Sequence, residues 1–438
     1  MMWADSRQEA PARGPLGESV SVDLVVIGLG YVGLPLVQEA VRSGLSVVGL
    51  DVSERVVSGL MASRSHVDDL SDAEIAEMLA AGFVATTDPS VLASADATVI
   101  CVPTPLSEDG GPDLAAVLGA VDSVAAHLHP GMLVVLESTT YPGTTDEEVR
   151  PVLEAGGLIA GVDFNLAFSP ERIDPGNAVY GMRNTPKVVG GHSPACTERA
   201  VALYERFVDT VVPAAGTREA EMAKLLENTY RHINIALVNE MAKFCQELDI
   251  DLWDVIRCAS TKPFGFQAFY PGPGVGGHCI PIDPNYLSYR VRAKLGYPFR
   301  FVELAQEINA TMPAYVARRA QDILNDHGKA MRGSTVLLLG VTYKPDIADQ
   351  RESPAQPVAR ALIAMGADVR FHDPKVTTWR LGEVDLECVP NLDESLQQAD
   401  LVILLQAHRD YDLAHIESLS RALFDTRGVT RSAASVRL

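Results

Sequence analysis

A single cysteine closes a glycine-rich stretch in the middle of the chain and precedes an aspartate by four residues. The stretch runs from Gly272 through Gly276 to Cys279, and the aspartate is Asp283. Glycines allow a loop backbone to approach a ligand closely. A thiol held there can attack a bound carbonyl carbon, and loop N–H groups can stabilise the resulting oxyanion. The same residues are also compatible with a tight turn that carries a buried structural cysteine.

A second pattern, near the N-terminus, is typical of a dinucleotide site. An apolar run leads into a GxGxxG segment at 28–33, and a helical stretch and a second apolar run ending in Asp51 follow. The glycines let a pyrophosphate lie on a helix N-terminus, and an acid in that place accepts hydrogen bonds from ribose hydroxyls. Because a carboxylate repels a 2′-phosphate, Asp51 favours NAD over NADP, and Arg55 weakens that preference slightly.

Three polar residues share one face of a predicted long helix. Lys224, Asn228 and Arg231 follow i, i+4, i+7 spacing within 217–248, a stretch without proline or glycine. The neighbouring positions are largely apolar, which favours burial of this polar face over an ordinary solvated one. A buried lysine with a shifted pKa is a plausible acid–base group.

The elements that position these residues follow two alternating α/β patterns with a helical stretch between them. Strand-like runs alternate with helical ones over about 23–215, and a second alternation begins at Ser334. Such alternation predicts doubly wound parallel sheets, whose ligands bind beyond the C-terminal ends of the strands. Between them, 217–248 and about 285–327 are predicted to be helical. The predicted strands are 23–27, 46–51, 84–87, 97–102, 132–136, 165–168, 187–189, 335–339, 368–371 and 400–405.

Three polar loops that contain proline follow strands of the first pattern and are candidates for ligand contact. They lie at 103–105, 138–143 and 169–172. In the third loop, Glu171 is either a catalytic carboxylate or the ion-pair partner of Arg172. The residue types alone leave these two interpretations open.

Composition limits the class of protein. The chain has 438 residues, 47% of them hydrophobic, and a formal net charge of −21, which predicts a soluble protein of two or three domains. The negative charge argues against nonspecific binding to nucleic acid or an anionic membrane. No apolar run reaches the roughly 18 residues of a membrane span. The six cysteines are scattered and no zinc-binding motif is present, which favours the cytoplasm and disfavours disulfides and a metal site.

Six stretches, in order along the chain, carry a specific resemblance. They are GLGYVGLPL (28–36), ESTTYPGTT (137–145), SPERIDPGN (169–177), KLLENTYRHINIALVNE (224–240), PGPGVGGHCIPIDP (271–284) and GVTYKPDIADQRES (340–353). On these stretches, the chain resembles the UDP-glucose/GDP-mannose dehydrogenase family over about 22–430. The forms at 169–177 and 271–284 look most like the branch acting on UDP-N-acetylhexosamines, particularly UDP-N-acetylglucosamine 6-dehydrogenases.

Together, the patterns and the resemblance predict an α/β protein with two doubly wound Rossmann-like domains joined by a long helix and a helical middle domain. A disordered tail is expected at 1–21 and an NAD-binding domain at 22–215. A helical central and dimerisation domain with the cysteine loop is expected at 216–330, and a UDP-sugar-binding domain at 331–438. We expect a cytoplasmic homodimer that uses NAD and a UDP-sugar, without nucleic-acid, membrane or metal partners.

The resemblance implies a four-electron oxidation of the sugar C6 hydroxymethyl group to a carboxylate with two NAD⁺, in polysaccharide biosynthesis. Cys279 would capture the intermediate aldehyde as a thiohemiacetal. A second hydride transfer would give a thioester, which water hydrolyses.

The other catalytic roles that the resemblance implies fall on five residues. Lys224 and Asn228 would stabilise the oxyanion. Asp283 would organise Lys224 and water, and Glu171 would assist hydrolysis. Thr139 would position a water molecule or a proton-transfer partner.

The resemblance also implies two sets of binding residues. The cofactor-binding residues are Gly28, Gly30, Tyr31, Val32, Gly33, Asp51, Arg55, Pro103, Thr104, Ser138, Thr139 and Arg351. The substrate-binding residues are Glu171, Arg172, Lys224, Asn228, Arg231, Lys262, Phe269, Gly276 and Lys344. Among these, Lys262 is expected to reach into a neighbouring subunit's site.

Other functions remain open. The nearest alternative is a UDP-glucose 6-dehydrogenase of the same family. A two-electron hydroxyacid dehydrogenase would lack the thiol loop. A catalytically silent nucleotide-sugar-binding protein would be expected to lose Cys279, Lys224 or Asp283, and all three are present.

Overall fold

The structure is a computed structural model. It describes residues 22–67, 69–107, 111–173, 177, 179–277, 280, 282–432 and 435–438. The predicted tail at 1–21 and the predicted nucleophile Cys279, with its neighbour His278, lie outside the described residues.

The first alternating pattern folds into one eight-stranded sheet. Its strands are β1 (Val22–Ile27), β2 (Val47–Leu50), β3 (Val84–Thr86), β4 (Ala95–Ile100), β5 (Leu133–Leu136), β6 (Asn165–Phe168), β7 (Lys187–Gly191) and β8 (Val211–Pro213). They lie in the order β3-β2-β1-β4-β5-β6-β7-β8. Successive side chains of β1 pack into two apolar cores, one on each face of the sheet. Both faces are therefore covered, as in a doubly wound fold.

The expectation of a fully parallel first sheet is wrong at one strand pair. β6 and β7 pair antiparallel, whereas the other neighbours pair parallel. A parallel neighbour needs a crossover connection, usually a helix. The described residues between these strands, in 169–186, form no helix, so the chain reverses direction instead. The strand β8 was not predicted either.

Helices cover this sheet. The α-helices are α1 (Gly33–Arg42), α2 (Glu54–Met61), α3 (Asp72–Ala80), α4 (Ala115–Ala125), α5 (Arg150–Glu154) and α6 (Pro194–Tyr204). A 3₁₀ segment, Pro89–Ser94, precedes β4, and a wider π-type turn, Thr145–Val149, leads into α5. The loop after β5 therefore lies between two regular elements, because the strand ends at Leu136 and this turn begins at Thr145.

The middle of the chain is helical, as predicted. Its helices are α7 (Thr217–Glu247), α8 (Leu252–Ala259), α9 (Asp283–Leu295) and α10 (Arg300–Asp326). The helix predicted over 217–248 agrees with α7 to one residue. The stretch predicted at 285–327 is two helices, because Gly296 adopts φ +75° and ends α9.

The second alternating pattern forms a parallel sheet in the order β10-β9-β13-β14-β15. The predicted strands form three neighbouring strands, from the edge of the sheet to its middle. An antiparallel hairpin, β11-β12, and two further strands were not predicted. The elements are β9 (Thr335–Leu339), α11 (Ala355–Ala364), β10 (Asp368–His372), β11 (Thr378–Leu381), β12 (Val384–Glu387), α12 (Leu392–Gln398), β13 (Leu401–Leu404), α13 (Leu413–Leu419), β14 (Leu423–Asp425) and β15 (Val436–Arg437).

None of the helices in the described part of the chain has the length and apolar character needed to cross a membrane.

Candidate active site

The glycine segment joins β1 to α1 through contacts that exclude side chains. Gly28 has φ +91°, and a Cβ on it would lie 2.8 Å from the carbonyl oxygen of Cys101. A Cβ on Gly33 would lie 1.9 Å from the carbonyl oxygen of Gly28. The N-cap of α1, Val32, makes no side-chain hydrogen bond to the helix, so this helix N-terminus can face an anion, although the Leu34 N–H already donates to the carbonyl of Gly30 at 3.0 Å and Pro35 has no N–H. This cradle fits the pyrophosphate of NAD.

Asp51 follows β2, where a dinucleotide site requires its acid. Its carboxylate accepts the N–H of Leu29 at 2.9 Å and the N–H of Ser53 at 2.8 Å. A carboxylate has about four acceptor positions, so it retains capacity for ribose hydroxyls. Arg55 is exposed on α2, and Tyr31 of the glycine segment is 37% exposed. The residues present therefore also fit the ribose of NAD.

The loops after β4 and β5 are tied to each other and to α9. The Ser138 hydroxyl donates to the carbonyl of Val102 at 2.7 Å, and the Thr104 hydroxyl donates to the carbonyl of Thr139 at 2.7 Å. The Tyr286 hydroxyl of α9 donates to the carbonyl of Thr104. Pro103 lies within the first of these loops. The predicted cofactor residues of both loops therefore lie side by side at the C-terminal edge of the sheet.

Four of the predicted catalytic residues form two hydrogen-bonded pairs. Lys224 Nζ donates to Thr139 Oγ1 at 2.5 Å, and Asn228 Nδ2 donates to Asp283 Oδ2 at 2.6 Å. Asp283 is 2% exposed, and burial raises the pKa of its carboxyl to about 6 against the opposing effects of the Lys224 charge and the Asn228 hydrogen bond. An ammonium, an amide, a hydroxyl and a carboxyl that titrates near neutrality are thus gathered around one point on α7.

The predicted polar face of α7 is only partly buried. Lys224 is buried and Asn228 is half-buried, whereas Arg231, one turn further on, is exposed. Apolar side chains on the same helix are exposed too, with Leu226 at 59% and Leu237 at 54%. The apolar residues beside the polar face of α7 therefore did not correctly predict that the whole face is buried.

The glycine-rich loop runs between α7 and the C-terminal domain. Gly272 N–H donates to Asn239 Oδ1 of α7 at 2.9 Å. A Cβ on Gly276 would lie 2.7 Å from the carbonyl oxygen of Glu352 and 2.9 Å from Cβ of Tyr343. Gly277 has φ +88° and also lies against the ring of Tyr343. Only glycine fits these positions, and the loop leads directly to the N-terminus of α9.

Glu171 and Arg172 have separate partners, and the described residues show no ion pair between them, which was one of the two interpretations left open. Arg172 Nη2 lies 2.8 Å from Glu227 Oε1, and its Nη1 donates to the carbonyl of Pro186 at 2.6 Å. Glu171 accepts the N–H of Ile173 at 2.5 Å and faces the ammonium of Lys187 at 3.5 Å. No hydrogen bond or ion pair reported among the described residues joins Glu171 to Lys224, Asn228 or Asp283.

A buried polar cluster beside Glu171 was missed from the sequence. Lys187 Nζ donates to Glu137 Oε2 at 2.9 Å, and the Tyr204 hydroxyl donates to the other oxygen of Glu137. All three side chains are buried. The available signal was a lysine that opens the otherwise apolar strand β7 and a glutamate that directly follows β5.

A cleft of about 580 Å³ separates the glycine segment from the C-terminal domain. Tyr31 lines one side, and Arg351 and Arg380 lie on the other. The Arg351 guanidinium donates to the Asp349 carboxylate at 2.9 and 2.7 Å. The predicted cofactor residue Arg351 is thus placed opposite the NAD loop.

Three of the remaining predicted substrate residues lie on segments outside α7. Lys262 is exposed, with Nζ 5.0 Å from the centre of the Phe264 ring. The Phe269 ring packs edge-on against Tyr230 at 5.7 Å. Lys344 lies in the loop after β9, where its carbonyl accepts the Thr342 hydroxyl at 2.8 Å.

Three family models match the chain in succession. All three describe the UDP-glucose/GDP-mannose dehydrogenase family: its NAD binding domain matches residues 22–208, its central domain 218–311 and its UDP binding domain 337–432.

Relatives match over nearly the whole chain. A UDP-N-acetyl-D-mannosamine dehydrogenase of Methanocaldococcus jannaschii is 33% identical over 93% of this chain and 92% of its own. The structure of a UDP-D-ManNAc dehydrogenase from Pyrococcus horikoshii superposes with a TM-score of 0.85 at 31% identity, covering 95% of this chain and 99% of that one. A UDP-glucose dehydrogenase from Pyrobaculum islandicum gives 0.83 at 28% identity, covering 97% and 99%. The chain therefore belongs to the UDP-glucose/GDP-mannose dehydrogenase family and is an NAD-dependent UDP-sugar dehydrogenase.

Proposed function

We propose that the enzyme oxidises the C6 hydroxymethyl group of a UDP-N-acetylhexosamine to a carboxylate. The observation that carries this proposal is the pair of contacts Lys224–Thr139 and Asn228–Asp283 at the start of the helix that follows the cysteine loop. The balanced reaction consumes the alcohol, two NAD⁺ and one water, and yields the carboxylate, two NADH and three protons. NAD⁺, when bound, accepts the hydride that leaves C6 in each oxidation.

In this proposal, Lys224 and Asn228 hold the C6 oxygen while it carries negative charge. The Lys224 ammonium donates to Thr139 Oγ1, which leaves its other N–H groups for a substrate oxygen. Such donors act most strongly where water is excluded, and Lys224 is 8% exposed. Thr139 positions the proton-transfer partner of that oxygen.

Asp283 has the role of a proton carrier and organiser. A carboxyl with a pKa of about 6 exchanges protons readily near neutral pH. In the proposal it fixes Asn228 through their hydrogen bond and orients water and Lys224. Cys279 attacks the aldehyde, forming a carbon–sulfur bond that keeps the intermediate on the enzyme for the second oxidation. Glu171 assists hydrolysis of the thioester.

The remaining assignments are part of the same proposal. The cofactor lies along the glycine segment, Asp51 and the loops after β4 and β5, with Arg351 above it. The uridine diphosphate is held by the C-terminal domain through Lys344. The domain bounds are proposed as 22–215, 216–330 and 331–438.

The acetamido sugar is proposed from the motif forms at 169–177 and 271–284. Two of the relatives described above are named for UDP-N-acetylmannosamine, which supports a C2 acetamido group. They do not support the gluco configuration over the manno one, so UDP-N-acetylglucosamine stays a prediction. The structural match to a UDP-glucose dehydrogenase indicates that the fold alone does not select the sugar.

A substrate panel tests the proposal. The purified enzyme is given NAD⁺ with UDP-N-acetylglucosamine, UDP-N-acetylgalactosamine, UDP-N-acetylmannosamine or UDP-glucose. NADH is measured against sugar consumed, and the product is identified by mass spectrometry. We expect about two NADH per acetamido sugar and the matching uronate, because covalent capture prevents release of the aldehyde.

Each other outcome of the panel has its own meaning. One NADH per sugar with free aldehyde would refute the covalent mechanism. Two NADH with UDP-glucose alone would refute the acetamido assignment and leave the mechanism standing. Binding of UDP-sugar without NADH would indicate the catalytically silent alternative.

We further propose that the enzyme is a cytoplasmic homodimer built on the helical middle. Leu226 and Leu237 of α7 and Phe301 of α10 are each more than half exposed, which is unfavourable in a monomer. Light scattering after size exclusion should give twice the chain mass. Leu237→Asp should shift the population toward monomer, whereas Val384→Asp, at an exposed position in the C-terminal hairpin, should not.

A further inference from the structure

We propose that Lys187 is a positioning residue for Glu171, and that the buried Glu137–Lys187 pair holds the Glu171 carboxylate in place as the proton acceptor for thioester hydrolysis. This inference rests on the proposed function, in which Glu171 assists that step.

The cluster is assembled from four elements at the C-terminal edge of the first sheet. Glu137 directly follows β5, Lys187 begins β7, Tyr204 ends α6 and Glu171 follows β6. Lys187 Nζ lies 2.9 Å from Glu137 Oε2 and 3.5 Å from Glu171 Oε2. The exposed fractions of the three side chains are 4%, 0% and 9%. One ammonium therefore bridges two carboxylates away from solvent.

The two oxygens of Glu171 differ in their partners. Oε1 accepts the N–H of Ile173, which fixes the rotamer of the side chain. Oε2 is buried and has no hydrogen-bond partner among the described residues, and it faces Lys187 at a distance longer than a hydrogen bond. Oε2 is thus the oxygen with acceptor capacity to spare. The cluster is connected to the candidate site through Glu137, which lies two residues before Thr139.

The charge balance of the cluster explains why Lys187 is needed. Two buried carboxylates without a cation cannot both remain ionised, and one of them takes up a proton. The Cys101 thiol and the Tyr204 hydroxyl cannot carry a positive charge in place of Lys187, and burial and then Glu137 raise the pKa of both groups, which keeps them neutral. The adjacent Arg172 is engaged by Glu227. Lys187 is therefore the cation that faces both carboxylates.

Ionisation of Glu171 matters for the chemistry of hydrolysis. The water oxygen bonds to the thioester carbonyl carbon, and one water proton passes to Glu171. The carbon–sulfur bond then breaks, and Cys279 leaves as a thiolate with the electron pair of that bond. A Glu171 that is already protonated cannot accept this proton, so loss of Lys187 slows hydrolysis and spares the two oxidations that precede it.

The test is Lys187→Met, assayed by rapid mixing and by intact-protein mass spectrometry during turnover. We expect a burst of two NADH per site, a steady-state rate lower by about 10- to 100-fold, and a thioester adduct on Cys279. Lys187→Arg keeps the charge and should show little adduct.

A charge-balanced double variant separates positioning from packing. Glu137→Gln with Lys187→Met removes one charged side chain of each sign and leaves Glu171 as the only carboxyl group of the cluster. We expect this variant to hydrolyse the thioester faster than Lys187→Met alone. A double variant that is slower than the single one, or a Lys187→Met enzyme without burst or adduct, would overturn the inference. If Lys187→Met does not fold, the double variant and Lys187→Arg still test the inference, because it expects both to turn over without accumulating the thioester adduct.

Failure of the inference and failure of the proposed function are distinguishable. A wild-type enzyme that makes no uronate from any sugar in the panel contradicts the proposed function. An active wild type with unchanged hydrolysis in Lys187→Met contradicts only the role of Lys187.

Discussion

Burial of Asp283 opposes the ionisation of a carboxyl group to which the proposed mechanism gives a proton-transfer role. Its pKa is raised to about 6 from an ordinary value of 3.8, and the chief cause is burial. The folded state then holds more protons than the unfolded state between about pH 4 and pH 6, so stability falls as pH rises through that window. Above it, the ionised form costs roughly 3 kcal/mol for a shift of about two pKa units.

Asp283→Asn should remove this penalty. We expect the melting temperature of the variant, relative to wild type, to rise between pH 4 and pH 7, because the neutral amide has no charge to desolvate. Catalytic activity should fall sharply at every pH. Thermal unfolding at half-unit pH steps measures the difference, and a difference that is flat or falls with pH would contradict the assigned burial of charge.

Asp51 should set the cofactor preference. Its carboxylate is fixed by two N–H groups next to the ribose position, so a 2′-phosphate would meet a negative charge that cannot turn away. Such a juxtaposition costs several kcal/mol, and each 1.4 kcal/mol is about tenfold in affinity. Asp51→Ser should narrow the NAD/NADP ratio of kcat/KM by about 10- to 100-fold. Equal efficiency of wild type with both cofactors would refute the assignment.

Residues within short motifs could be predicted, and residues joined across strands could not. The contacts Lys224–Thr139 and Asn228–Asp283 link residues that the motifs had already marked. The Glu137–Lys187 pair joins positions 50 residues apart in the chain, and nothing in either local sequence points to the other. The exposure of Arg231 depends on which side of α7 the sheet covers, which helical spacing does not specify.

At the scale of elements, the local sequence predicted the presence of helices more accurately than the direction of strands. The absence of proline and glycine predicted α7 to within one residue. The direction of β7 depends on the path of the chain after β6, and that stretch contains loops with proline and glycine rather than a crossover helix. The strands β8, β11 and β12 have only three or four residues each, which is too short for an apolar pattern to be recognised as a strand, so they were missed.

Glu221 sets the register of α7 against the loop after β5. Its buried carboxylate accepts the N–H of Gly143 at 2.5 Å, the N–H of Thr145 at 2.9 Å and the Thr145 hydroxyl at 2.7 Å. One turn later, Lys224 contacts Thr139 at the other end of the same loop. Two anchors on one helix thus hold the ammonium in place over the loop.

Glu221→Ala should leave three buried donors without a partner. At about 1–3 kcal/mol for each unsatisfied group, stability should fall by several kcal/mol. We expect kcat to fall more than KM rises, because in the proposed mechanism the displaced Lys224 acts chiefly in the transition state. Glu240→Ala, at an exposed position on the same helix, is the matched control. Losses of the same size in both variants would show that the helix, not the anchor, was perturbed; Glu221→Gln serves if the alanine variant does not fold.

At the scale of the whole molecule, the cysteine loop and the cleft both depend on the C-terminal domain. Gly276 and Gly277 lie against Tyr343, and Glu352 and Pro354 close over the same turn. Residues 349–351, which lie between Tyr343 and Glu352 in the chain, line the cleft opposite Tyr31 of the glycine segment. One short segment of the C-terminal domain therefore contacts both the loop that leads to the thiol and the space above the cofactor cradle.

Arg351 offers the sharpest test of that arrangement, because the chain supplies a matched control. Both Arg351 and Arg370 pair with an aspartate two residues earlier, at 2.7 and 3.0 Å, but only Arg351 lies in the cleft. Arg351→Ala should weaken NAD⁺ binding about tenfold, or roughly 1.4 kcal/mol, through loss of a cation above the pyrophosphate, and leave UDP binding unchanged. Arg370→Ala should change neither affinity.

Calorimetric titration with NAD⁺ and with UDP measures both dissociation constants. Equal weakening of both ligands by Arg351→Ala would mean that the C-terminal domain itself was disturbed, and unchanged NAD⁺ affinity would remove this cleft from the cofactor site.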